Sequence, residues 1–157
     1  MATPKTPTDR LAILIATAGG AGFMPRAPGT AGSLVGVLIY LLMEQLHAGS
    51  YFLHVLLLLL IAGTLAAHRV EAFWGHDSQR IVIDEVIGQM IAYGVAAGRT
   101  RLSTFSIVAG FVLFRFFDIV KPFPIHRLER LPGGVGVIAD DVGAGLYTLA
   151  VLTLIGK

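Results

Sequence analysis

The sequence predicts an all-α fold: a polytopic membrane helical bundle with about five membrane helices plus a short N-terminal interfacial or re-entrant helix. Three observations point there. Of the 157 residues, 55% are hydrophobic and 14% are charged, whereas ordinary soluble domains carry about 25% charged residues. Mean hydropathy is +0.75. The apolar residues also fall in runs, separated by Gly, Pro and clusters of charge. A soluble core of this size has too little interior for so many apolar side chains, so part of them must face lipid. The length suits one domain, 1–157.

The elements follow in order. The start, "MATPKTPTDRLAILIATAGGAGF", imitates a signal peptide, with a few positive charges before an apolar run. The run is short, and the loop 19–32 leads straight into another apolar segment. It is therefore expected to be retained as a short helix near 8–18, at or dipping into the membrane surface. The second segment is 33–47. The third, 50–72, contains "YFLHVLLLLLIAGTLAA" without a charge, and it alone reaches the ~20 residues that span a bilayer comfortably. The fourth runs from 82 to 98 and the fifth from 102 to 120, where Pro122 and Pro124 forbid continuation. The sixth, 139–156, closes the chain. The shorter segments become long enough only when their polar ends are counted. Those ends are expected at or just below the membrane surface, shielded by protein.

Threading these segments alternately through a membrane puts the loops 19–32, 73–84 and 118–141 on one side. Every carboxylate except Glu44 collects there, and so does every Lys and Arg except Arg99, Arg101 and Lys157. The positive-inside rule makes that side cytoplasmic. The expected arrangement is a multi-pass membrane protein with the charged end facing the cytoplasm. The net charge of +2 gives no support for nucleic-acid binding. The absence of cysteine excludes disulfides, thiolate metal sites and a Cys nucleophile.

Two acidic pairs stand at the heads of two apolar segments, Asp84–Glu85 and Asp140–Asp141. One acid per helix would complement the macrodipole or cap free N–H groups. Two per helix, on two helices, with Asp118 besides, make five carboxylates at one membrane face. Such a cluster repels itself and needs cations, and hard divalent ions with oxygen ligands would serve. Adjacent residues on a helix point about 100° apart, so the four paired acids are not all expected on one ion. In "FRFFDIVKPFP" the residues Arg115, Asp118 and Lys121 are spaced by three and share a helix face. The plain reading is an intrahelical ion pair with Lys121 at the C-terminal end. Ionisable groups in an apolar segment also mark functional sites. The loop "GFMPRAPGTAGS" reads either as a connector with Thr30 or Ser33 as N-cap, or as an anion cradle of backbone N–H groups, hydroxyls and Arg26. "LPGGVGV" (131–137) reads as a flexible entry to the second acidic pair. His76, beside Asp77, reads as a polar loop residue that could orient a group or shuttle a proton. Carboxylates for metal, cations for phosphate and a Gly-rich loop at headgroup depth together suggest metal-assisted chemistry on a phosphorylated lipid.

Four blocks, "PRAPGTAGS", "HDSQRIVIDEVIGQM", "FRFFDIVKPFPI" and "GGVGVIADDVGAG", closely resemble the phosphatidylglycerophosphatase A family of bacterial membrane lipid phosphatases. They span most of 25–145 in the family's order. The resemblance implies Mg²⁺-dependent removal of the terminal phosphate from phosphatidylglycerophosphate, giving phosphatidylglycerol and inorganic phosphate, in phospholipid biosynthesis, at the cytoplasmic side of a bacterial cytoplasmic (inner) membrane. It carries the acids of the pattern onto Asp84, Glu85, Asp118, Asp140 and Asp141 as metal ligands and catalytic groups. The basic residues carry onto Arg115 and Lys121 as phosphate ligands. Where some relatives place a second histidine, this chain has Ser78. The expected mechanism has a carboxylate outside the metal position or deprotonate the attacking water; a covalent aspartyl-phosphate on Asp84 or Asp140 is the rival. A small cation-binding transporter or channel, or an interaction subunit with an acidic face, are the alternatives from other classes. The apolar middle of each span speaks against an ion path.

Overall fold

The computed structural model describes residues 6–76, 78–94, 101–128 and 131–155. These residues are helical, with no strand among them. The order is α1 (Pro7–Ala16), a 3-10 turn (Ala21–Phe23), α2 (Pro28–Gln45), a second 3-10 turn (Gly49–Tyr51), α3 (Phe52–Trp74), α4 (Ile83–Ala92), α5 (Thr104–Val120), the one-turn α6 (Ile125–Leu128) and α7 (Gly133–Ile155).

α1 begins with a capping box. The Thr6 hydroxyl accepts from the Asp9 N–H at 3.1 Å, and the Asp9 carboxylate accepts from the Thr6 N–H at 2.9 Å. Asp9 is buried and also accepts from Arg69 of α3, at 2.8 and 2.9 Å. One carboxylate thus caps its own helix and latches α1 to α3.

α2 starts five residues earlier than hydropathy placed it. Pro28 occupies the first turn, where its fixed φ suits a helix, and Ala27 is the N-cap in the left-handed region at φ +50°. Thr30 and Ser33 are therefore not N-caps but sit inside the helix, and the Ser33 hydroxyl donates to the Gly29 carbonyl at 3.0 Å. α7 likewise starts at Gly133 rather than 139, so 131–137 is in large part the first turn of a helix and not a loose entry. Glycine disfavours helix intrinsically, but packing of α7 on α3, α4 and α5 overrides that preference.

α4 is the centre of the bundle. Nine of its ten residues are buried, and it packs against α2, α3, α5 and above all α7. Gly88 makes the closest approach possible: a Cβ there would lie 2.7 Å from the Asp141 carbonyl and collide with the Phe114 ring. The opposite end of the bundle is closed by two tyrosines. Tyr40 accepts from the Leu102 N–H at 3.0 Å, and Tyr93 donates to the Ile107 carbonyl at 2.8 Å.

Two helices among the described residues, rather than five, are long and apolar enough to cross a membrane: Gly49–Trp74 and Gly133–Ile155. α4 has ten residues, about 15 Å at 1.5 Å per residue, or half of a ~30 Å hydrocarbon core. Residues 95–98, expected to extend it, lie outside the described residues. Hydropathy does not distinguish a run that is apolar because it faces lipid from one that is apolar because protein surrounds it, and α4 is the second kind. The lipid-facing kind is also present. Leu53, Leu57, Leu58, Ile61 and Leu65 of α3, and Phe105, Val108, Val112, Phe116 and Ile119 of α5, form exposed apolar rows. Monomeric soluble proteins rarely expose such patches. These rows and the two long apolar helices mark a membrane-associated protein.

Candidate active site

The first turn of α4 carries Asp84 and Glu85, and α7 brings Asp141 against them across the Gly88 contact. Asp84, Glu85 and Asp141 place one carboxylate oxygen each within 4.8 Å of one another. Asp84 and Asp141 are buried. The Glu85 N–H donates to Asp84 Oδ1 at 3.0 Å, while Glu85 Oε2 is buried without a hydrogen-bond partner. Three hard oxygen donors at this separation, one with an open buried lone pair, fit a divalent cation that prefers oxygen ligands. Without a cation or protons the three negative charges would repel at close range in a poorly solvated setting.

α5 supplies the cations. Arg115 Nη1 lies 2.9 Å from Asp118 Oδ2, 4.0 Å from Glu85 Oε1 and 3.3 Å from the Ser33 hydroxyl. The Arg115–Asp118 pair is thus the intrahelical bridge that the spacing predicts. Lys121 departs from it. Its left-handed backbone, φ +44°, ends α5 and sends the ammonium to Asp140 Oδ2 at 2.7 Å. The second acidic pair is therefore divided, Asp141 joining the triad and Asp140 joining Lys121. Asp118, paired with Arg115, lies on the triad side and faces Asp141.

α2 closes the site from a third side. Its first turn passes so near that a Cβ on Gly29 would run into Glu85 Oε1 and come within 3.2 Å of Arg115 Nη1. Ser33 reaches the cluster through Arg115. Thr30 lies in the same half-buried turn, whereas Arg26 is exposed on the preceding loop, and no contact ties it to the carboxylates among the described residues. His76 pairs with Glu71, which also faces His68 at 3.7 Å; Asp77 lies outside the described residues. Sequence reasoning missed the support that Ser33 gives Arg115 and the proximity that Gly29 permits. The small-residue spacing in "PGTAGS" was the available signal for both.

The profile of the family described as phosphatidylglycerophosphatase A matches residues 14–156. A putative phosphatidylinositol-3-phosphatase of Bacteroides thetaiotaomicron is 38% identical over 92% of this chain and 92% of its own length. The phosphatidylglycerophosphatases A of Haemophilus influenzae and Escherichia coli are each 37% identical, covering 96% and 91% of this chain and 94% and 82% of their own lengths. No solved structure matches. With the matched region enclosing every carboxylate and cation of the cluster, the chain belongs to the phosphatidylglycerophosphatase A family.

Proposed function

We propose that this protein is a Mg²⁺-dependent lipid phosphatase that hydrolyses phosphatidylglycerophosphate to phosphatidylglycerol and inorganic phosphate. The observation that carries the reading is the buried Asp84–Glu85–Asp141 triad flanked by Arg115 and Lys121 at one end of an apolar bundle. Asp84, Glu85 and Asp141 would hold the ion, which when bound supplies Lewis-acid neutralisation of the phosphoryl oxygens. Arg115, aligned by Asp118 and Ser33, presents its remaining donors to the phosphate, and Lys121 adds a second positive charge. Hydrolysis forms a bond from a water oxygen to phosphorus and breaks the bond from phosphorus to the glycerol oxygen. Asp118, outside the triad and held by Arg115, is assigned the proton of that water. The ammonium of Lys121, beside Asp140, is assigned to the developing charge on the leaving oxygen. We read the chain as multi-pass with this end toward the cytoplasm, the side that the charge asymmetry of the loops favours.

A second substrate reading has support in the Bacteroides relative, whose name points to a phosphorylated inositol lipid. Both substrates present a phosphomonoester on a polyol next to a phosphodiester, so the same cluster serves either. The deciding experiment is phosphate release by the purified protein from each lipid in mixed micelles, with Mg²⁺ and with excess chelator. Release from phosphatidylglycerophosphate that is abolished by chelator and restored by Mg²⁺ is expected. Full activity in chelator would remove the metal from the mechanism, and release from the inositol lipid alone would replace the substrate.

A further inference from the structure

A second concavity lies beside the carboxylate site and takes no part in the chemistry described so far. Its volume is about 590 Å³, and its walls are the 3-10 turn before α2, the end of α3 and the segment leading to α4. Trp74, the last residue of α3, forms the floor. Phe23 stands edge-on to it with ring centroids 6.1 Å apart. The Arg80 guanidinium lies over the same ring, 5.6 Å from its centroid. Arg80 makes no ion pair among the described residues, so its charge is available to a ligand. Phe23 and Met24 are exposed at the rim. Pro28 completes the wall and is followed directly by Gly29, which abuts Glu85 and Arg115. The concavity and the carboxylate site therefore share the first turn of α2.

We infer that this cavity holds the glycerol phosphodiester of the lipid substrate, with Arg80 pairing with the diester phosphate while the terminal phosphomonoester enters the Arg115–Lys121 end. The inference rests on the lipid phosphatase reading and adds the part of the substrate that hydrolysis itself does not touch. A lipid of this class carries two phosphates separated by a short polyol. The diester keeps one negative charge, and burying it beside protein requires a cation. Arg80 supplies a planar fork suited to phosphate oxygens, held ready by stacking on Trp74. The aromatic wall receives the glycerol carbons. Phe23 and Met24, apolar and exposed at the rim, meet the start of the acyl region. Phosphate hydrolysis and headgroup selection are thereby divided between neighbouring sites. Arg80 is a binding residue outside the reacting atoms.

Trp74 is the single tryptophan of the chain, so its emission reads the cavity directly in the intact protein in detergent. Short-chain phosphatidylglycerol, which has the diester but no monoester, should change that emission saturably. Inorganic phosphate and short-chain phosphatidylcholine should not. Arg80→Gln should shift the midpoint of the titration at least about tenfold. It should raise KM for phosphatidylglycerophosphate by a similar factor, with kcat within about threefold and inhibition by inorganic phosphate unchanged. Midpoint and KM both unaltered in Arg80→Gln would overturn the proposal. An equal response to inorganic phosphate would also overturn it, making the cavity a general anion site. A normal Trp74 response without any phosphate release would sink the phosphatase reading and leave the cavity standing. Phosphate release without a Trp74 response would do the reverse.

Discussion

Asp84 and Glu85 open α4 in its first turn, whereas Asp140 and Asp141 sit two turns inside α7. In the sequence the two pairs look interchangeable: adjacent acids followed by Val and a small-residue apolar run. In the fold the first pair stays together, both members within 4.8 Å of Asp141. The second pair is split, because adjacent residues point about 100° apart and α7 has different neighbours on those two sides. On one side is α4, brought close by Gly88. On the other is the end of α5, where Lys121 turns out of its helix. An acidic pair is therefore two positions whose surroundings are set by whatever packs against each face, and only the packing tells a member of the carboxylate cluster from an ion-pair partner.

The strongest test of this difference is to neutralise the acids one at a time. Asp84→Asn and Asp141→Asn should each lower phosphate release by roughly 10²–10³-fold or more, as loss of a preorganised charge in a buried reaction site does. Asp140→Asn should cost about tenfold, because Lys121 remains to meet the phosphate. Turnover is measured on folded protein, with elution and thermal stability recorded alongside. Equal losses in Asp140→Asn and Asp141→Asn would erase the division between the two halves of the pair.

Lys121 sharpens the comparison at the next level. Its helical spacing suggests Asp118 as the partner, and the structure gives it to Asp140 at 2.7 Å. A double-mutant cycle on stability distinguishes them. Lys121→Met with Asp140→Asn should show a coupling of about 1–3 kcal/mol, as residues in one ion pair do. Lys121→Met with Asp118→Asn should show the smaller coupling of the two cycles. Independently of stability, folded Lys121→Met should turn over substrate at least about tenfold more slowly, through loss of a charge-assisted contact. Near-normal turnover would leave Arg115 as the cation that binds phosphate.

That contrast also shows what was legible beforehand. Helical class, the clustering of Asp84, Glu85, Asp118, Asp140 and Asp141 at one end, and the Arg115–Asp118 pair follow from hydropathy, alternation and i,i+3 spacing, all of which are local. The Lys121–Asp140 pair depends on a left-handed residue at a helix end. The Asp9–Arg69 latch joins residues sixty positions apart. Neither has a local signature. The starts of α2 and α7 differ from the hydropathy reading for two reasons: Pro28 opens α2 as a first-turn residue inside a Gly/Pro-rich run that hides the helix start, and Gly133 and Gly134 disfavour helix locally while tertiary packing overrides them. The brevity of α4 was hidden because burial in protein and burial in lipid select the same residues.

Ser33 tests the supporting contacts of the site. Its hydroxyl lies 3.3 Å from Arg115 Nη1 and donates to the Gly29 carbonyl at 3.0 Å. Ser33→Ala removes one of the guanidinium's anchors and leaves Asp118 as the other. Turnover should fall about three- to tenfold, at a stability cost near 1 kcal/mol, the ordinary worth of a hydrogen bond. A loss as large as that of Asp84→Asn would place Ser33 on the substrate rather than behind Arg115.

The smallest expected effect on activity lies one turn beyond the acids. Four residues after Glu85, α4 carries Gln89; four residues after Asp141, α7 carries Gly145. Gly145 lets the helices touch, and Gln89 is fully buried with neither amide atom hydrogen-bonded. An amide left without a partner in a protein interior costs roughly 1–3 kcal/mol by mutational measures. Met has nearly the same length and adapts to irregular space. Gln89→Met should therefore raise thermal stability by about 1 kcal/mol and leave turnover within about threefold of the unaltered protein. The alternative is that the amide reaches toward Glu85, which lies on the same helical face and has its own unpartnered oxygen. In that case the loaded site would lose an orienting contact, and turnover in Gln89→Met would fall tenfold or more with stability unchanged or reduced. Measured together, the two quantities separate the accounts: stability rises with turnover intact under the first, and turnover falls with no gain in stability under the second. The result therefore decides whether the polar half of α4 ends at Glu85 or extends one turn deeper into the bundle than the polar half of α7.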